Sequence, residues 1–143
     1  MSLATDIVFV KALMDDRSLT EQLAAKAVYN TAIALPEPEA LNAPVPYIIV
    51  SFDGLNNTDT TKDTMYDGLT DIVTIGIEIA AKSREELANI ALSVRNDVKG
   101  YITKYANHEI YSYEFSASPV RYDDQKPCYY QKFTYQCVTD PDK

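Results

Sequence analysis

Between Asp71 and Lys82 the chain alternates strictly: Val73, Ile75, Ile77, Ile79 and Ala81 fall on one face, and Ile72, Thr74, Gly76 and Glu78 on the other. Period two of this kind predicts a strand with one buried face. Ser83-Arg84-Glu85-Glu86 follows at once, with the spacing of a capping box, in which Ser83 and Glu86 satisfy each other's orphan backbone N–H groups. Leu87, Ile90, Ala91, Val94 and Val98 then recur at helical spacing. A long strand therefore runs into an amphipathic helix over Ser83 to Tyr101, expected to end by Ala106.

Upstream, the spacing of Leu3, Ile7, Val10, Leu13 and Met14 predicts a first helix, with Ser2 as its cap and Asp15-Asp16-Arg17 as its end. Ser18 and Glu21 have capping-box spacing for a short second helix through Leu23. Ala27 to Asn30 predicts a short strand. Pro36, Pro38, Pro44 and Pro46 keep the next stretch extended. Tyr47 to Phe52 is almost continuously apolar, which suits a strand covered on both faces or placed centrally. The stretch 53–68 is polar and has too few apolar residues to pack on its own, so it reads as a long exposed loop with hairpin arms at most. Glu109 to Ser118 and Tyr129 to Val138 alternate again as strands, separated by a turn at Asp123, Asp124 and Pro127. In the last strand Tyr129, Phe133, Tyr135 and Cys137 share a face. The tail 139–143 is expected to fray. The order α, short elements, β-β-α-β-β predicts one α+β domain over residues 1–143: a mainly antiparallel sheet with helices packed on one face.

Composition sharpens this in two ways. The 143 residues carry a net charge of −8, which disfavours sequence-independent grip on phosphate backbones and adhesion to anionic membranes. Eleven Tyr against no Trp and four Phe suits strands with a wet or contacted face. No signal peptide and no apolar run of bilayer length is read, so the chain is expected to be made and kept in cytosol. Cys128 and Cys137 stand an odd number of positions apart. On one strand they would be roughly 30 Å apart and on opposite faces, so both are expected as free buried thiols.

No chemistry is assembled. His108 is the single histidine, without a nucleophile or an orienting partner. Asp53, Asp59, Asp63 and Asp67 do not have the spacing of a calcium loop. Glu78 and Glu114 could act as an acid–base pair only on adjacent strands in a cleft. No glycine-rich phosphate loop occurs. No catalytic residue, metal or cofactor is expected, and the chain is not expected to be an enzyme.

The order of the pieces resembles the tail-completion, or tail-terminator, proteins of long-tailed bacteriophages and prophages. The resemblance rests on several stretches in sequence: the helix before Asp15-Asp16, the Pro-rich lead into Pro46-Tyr47-Ile48-Ile49-Val50-Ser51, the polar loop ending Asp67-Gly68, and the strand Asp71 to Ala81. It continues in the helix with Glu85-Glu86-Leu87 and Val94-Arg95, and in Tyr122-Asp123 and Tyr129-Tyr130-Gln131. It implies a structural subunit that forms a ring, a hexamer in size, at the head–tail joint. It implies tail-tube and head-connector proteins as partners, assembly in the host bacterial cytoplasm, and a place in the tail of the virion. DNA would pass the ring without being bound specifically, and no membrane is involved. Asp53, Asp59, Asp63 and Asp67 are then the candidate interaction residues, and Asp59, Asp63 and Asp67 are those that a flexible loop would turn inward, toward a lumen that repels DNA. The competing reading is a small intracellular ligand-binding domain or enzyme of similar topology, with its pocket under the 53–68 loop.

Overall fold

A computed structural model describes residues 2–30, 44–58, 70–102, 110–125 and 127–139. A single turn of 3-10 helix, Ser2–Ala4, leads into α1 (Thr5–Met14), followed by α2 (Arg17–Thr20). Strands β1 (Tyr29–Asn30), β2 (Tyr47–Thr58) and β3 (Thr70–Ala81) precede the long helix α3 (Arg84–Val98). Then come β4 (Gly100–Ile102), β5 (Ile110–Ala117), β6 (Arg121–Asp123) and β7 (Cys128–Thr139). The strands form one sheet in the order β1-β2-β3-β7-β5-β4, with β6 also on β7. Among the described residues only β1–β2 is parallel; every other pairing is antiparallel. The α+β class and the mainly antiparallel sheet are as the sequence predicts.

Strands β3 and β7 form the centre and pair along their whole length, from Asp71 with Thr139 to Ala81 with Tyr129. The helices cover one face: α1 packs on β1, β2 and β3, and α3 on β3, β5 and β7. The predicted stripes meet there. Leu87, Ile90, Val94 and Val98 of α3 are buried, as are Val73, Ile75, Ile77 and Ile79 of β3. The start of α3 is also as predicted, because Glu86 N donates to Ser83 Oγ at 3.1 Å. The Glu86 carboxylate accepts from Lys82 N rather than from the cap residue itself.

Five boundaries and faces differ from the sequence reading. First, α3 stops at Val98, not near Ala106. Gly100 takes φ +89, a left-handed conformation that favours glycine, and turns the chain into the edge strand β4. Second, Asp53 is no loop residue. β2 continues to Thr58, and Asp53 is the extra residue of a β-bulge between Phe52, opposite Ile75, and Gly54, opposite Thr74. The bulge shifts the core-facing parity from Ile48, Val50 and Phe52 to Leu55, which erases the alternation that marks a strand. Third, the apolar stripe of α1 splits. Leu13 is buried with Val8 and Phe9, whereas Leu3, Ile7 and Met14 are exposed. Fourth, Asp16 caps α2 in place of Ser18: its carboxylate accepts from Leu19 N and from the Ser18 hydroxyl at 2.8 Å. No side chain caps α1, whose N-cap is Ala4. Fifth, the tail is not frayed at Thr139, which is buried and paired with Asp71.

The turn expected at Asp123 contains strand β6. It lies on the same side of β7 as β5, end to end with it, because β5 pairs with Phe133 to Val138 and β6 with Cys128 to Tyr130. Ser118 bridges the break before Pro119. Its N–H donates to Lys132 O at 2.8 Å, its Oγ accepts from Lys132 N at 2.9 Å, and its carbonyl accepts from Gln131 Nε2 at 2.7 Å. Cys128 and Cys137 are buried thiols outside any disulfide. Burial pushes the Cys137 thiol up to about 12, so it is inert at neutral pH.

Candidate interaction surfaces

The sheet face opposite the helices is polar along its middle. Ser51, Gly76 and Thr134 lie side by side across β2, β3 and β7, and Glu78 lies beside Lys132. Lys132 reaches over β3 to Asp53, with Nζ to Oδ2 at 2.9 Å, and the Ser51 hydroxyl donates to Asp53 Oδ1 at 2.7 Å. Gly76 makes room for this. A Cβ there would run into the Asp53 carboxylate, and would stand 2.6 Å from Lys132 Cε and 2.7 Å from Ser51 Oγ. The bulge aims Asp53 outward and the missing side chain at Gly76 lets the ion pair cross a strand. Next to it, burial raises the Glu78 carboxyl above the usual range and the Lys132 ammonium partly opposes this. Burial, and then Glu78, raise the Tyr47 phenol.

Of the four candidate interaction acids, Asp53 is paired with Lys132 on the open face. Asp59, Asp63 and Asp67 lie outside the described residues, as do His108 and the 59–68 portion of the predicted loop. Glu78 and Glu114 are not an acid–base pair. β7 separates their strands, and Glu114 points to the helix side, where it pairs with Arg95 of α3 at 2.6 Å. Two clefts lie between elements already described. One, of about 310 Å³, is lined by Arg84, Val120, Arg121, Tyr122 and Tyr129. The other, of about 360 Å³, lies between α3 and β7 and is lined by Ala88, Ala91, Leu92, Arg95, Gln131 and Phe133. Neither is lined by the described residues of the β2–β3 hairpin end, where the alternative reading put its pocket.

One end of the sheet, at β4 and β5, carries a cluster of tyrosines. Tyr101 and Tyr111 stand opposite one another on β4 and β5 with ring centroids 4.9 Å apart, and Tyr113 follows at 6.3 Å from Tyr111. The Tyr113 hydroxyl donates to Gln136 Oε1 at 2.5 Å. Inside, Tyr135 meets Phe9 of α1 edge-on at 6.0 Å, and burial with Glu114 nearby pushes its phenol up to about 12. These roles divide one residue type between core and surface. Period two alone does not distinguish Tyr135, facing α1, from Tyr111, facing solvent.

At the junction of α2 and α3 two carboxyls meet. Burial, and then a hydrogen bond with Asp16, push Asp97 up to about 7, while that same hydrogen bond holds Asp16 below its ordinary value. Asp97 Oδ2 is buried with no partner. The pair was invisible in the sequence, because 80 positions separate its members and only the packing of α3 against the α1–α2 corner brings them together. Elsewhere Asp6, buried in the first turn of α1, accepts from Asn30 Nδ2 at 3.2 Å and ties that helix to β1. Among the described residues no helix is long and apolar enough to cross a membrane.

The chain matches no protein-family profile and no curated protein sequence. Its fold is similar to that of a chain in a solved structure titled "Virion of native gene transfer agent (GTA) particle". The TM-score is 0.66 at 14% identity, over 95% of this chain and 94% of that one.

Proposed function

We propose that this chain is a non-enzymatic structural subunit of a phage or prophage particle, forming a ring at the head–tail joint that completes or terminates the tail tube. The observation that carries the reading is likeness over nearly the full length of both chains to a component of a phage-like virion particle. The order of sequence pieces that resembles tail-completion proteins supports the head–tail joint as the place within such a particle. The partners are then further copies of the chain, the tail tube and the head connector, with the chain assembling in the bacterial cytoplasm before it joins the virion.

The test is direct. Purified protein is mixed with tail tubes lacking their terminator and viewed by negative-stain electron microscopy, with native mass spectrometry of the protein alone. Rings seated on one tube end, and a discrete multiple of 16.0 kDa, are expected. Protein that neither decorates tube ends nor changes tube length would refute the reading.

A further inference from the structure

The two clefts lie along one side of α3. Arg84 lines the first, and Ala88, Leu92 and Arg95 line the second. These four positions fall within about 80° of one another at 100° per residue, so they form one stripe along the helix. The floor is β7, whose Tyr129, Gln131 and Phe133 alternate onto the same face of the sheet. The clefts are therefore two stations of one groove, about 16 Å long from Arg84 to Arg95 at 1.5 Å per residue.

The two stations differ in chemistry. At the first, Tyr122 of β6 stands opposite Tyr129 with the rings 5.0 Å apart, and Arg121 precedes it on the strand. Tyr122 is 51% exposed. Arg84 and Arg121 are exposed as well, and neither has a hydrogen bond or a carboxylate partner among the described residues. Arg95 and Lys132, by contrast, are paired with Glu114 and Asp53. A chain of net charge −8 thus keeps two unpaired guanidiniums on one aromatic cleft. At the second station Leu92 is 54% exposed beside Ala88 and Phe133.

We propose that this groove docks an extended acidic peptide segment of a partner protein. A carboxylate of the segment sits against Arg84 and Arg121, and an apolar side chain about four residues further on sits against Leu92 and Phe133. The choice of occupant follows from complementarity of charge and shape. A guanidinium fork meets a carboxylate in two parallel hydrogen bonds. The paired tyrosines give the peptide beside that carboxylate a rigid aromatic wall. A polynucleotide fits less well, because its repeated phosphates would meet the negative field of the whole chain and the Leu92 station offers them no partner. The proposal is independent of the particle reading, and its test uses the chain alone.

The probe is a fluorescent hexapeptide with two glutamates at its start and leucine and phenylalanine at its end. Binding to the full chain is followed by anisotropy and by amide shift mapping in NMR. Saturable binding at or below millimolar peptide is expected, with the shifts centred on Arg84, Leu92, Tyr122 and Tyr129. Arg84→Gln and Arg121→Gln are each expected to weaken it roughly tenfold, as is replacement of the peptide's glutamates by glutamines. Both arginines are exposed, and circular dichroism checks that the variants fold. No binding at millimolar peptide, equal binding of the glutamine peptide, or binding that both arginine variants leave unchanged overturns the proposal. Inorganic phosphate that competes as well as the peptide would reduce the cleft to an inorganic-anion site and overturn it. Tighter binding of an oligothymidylate would assign the groove to nucleic acid instead. None of these outcomes depends on whether the wild-type chain forms rings or seats on tail tubes, so the two readings fail separately.

Discussion

Ile77 tests the core most sharply. It is fully buried on the helix side of β3, between Val50 of β2 and Phe133 of β7. Ile77→Ala removes three carbons. At about 0.8 kcal/mol each, the transfer term is roughly 2.4 kcal/mol. A central strand held on both sides cannot collapse into the gap, so a cavity term adds to it, and the expected total is about 3–4 kcal/mol. The whole fold has on the order of 7–20 kcal/mol, at about 0.05–0.15 kcal/mol per residue. The variant therefore folds, with its urea midpoint lowered by roughly 1–4 M. Ile72→Ala is the control. Ile72 is on the same strand but on the open face and half-buried, so about 1 kcal/mol is expected. Equal losses at the two positions, or less than 1 kcal/mol at Ile77, would show that the wrong face of β3 has been assigned to the core.

Three further outcomes follow from named contacts. Asp97 titrates near 7 in the folded chain against an ordinary 3.8, so the native state holds the extra proton and stability should fall as pH rises from about 4 to 7. Asp16, held low, works in the opposite sense at more acid pH. Asp97→Asn should flatten that decline and raise the melting temperature at pH 7.5 more than at pH 4.5. A parallel offset at both pH values would exclude the carboxyl pair as its source. Gly76→Ala should displace the Asp53–Lys132 pair, a loss of at most about 1 kcal/mol for a solvent-exposed ion pair. Relief of a strand glycine offsets this by about 0.5–1 kcal/mol, so a change above about 2 kcal/mol would mean that the three side chains cannot move aside. With a net charge of −8, no complex with duplex DNA is expected in a gel shift at low salt and micromolar protein. A salt-sensitive band would overturn the expectation that DNA passes a ring lumen without being bound, for which Asp59, Asp63 and Asp67 are the candidate lining acids.

The sequence alone determined the β3–α3 unit and the class of fold. There, every contact that matters is local: period two gives way to period 3.6 across a capping box whose members are three residues apart. The same holds for β7, whose core-facing Phe133, Tyr135 and Cys137 were visible as an alternation. Tertiary structure decided the rest, and in each case the deciding partner is remote in sequence. The bulge at Asp53 turns on the cross-strand pairing with Ile75 and Thr74 and on Lys132 of β7, so β2 looked like a loop where it was a strand with its parity reset. Strands β4 and β6 are too short to carry a periodic signal and exist because β5 and β7 offer them an edge. α1 has apolar residues on two sides, and no pattern within it states which side the sheet will take. Phe9 meeting Tyr135 settles that, since burying the larger aromatic surface against the centre of the sheet leaves Leu3, Ile7 and Met14 in solvent.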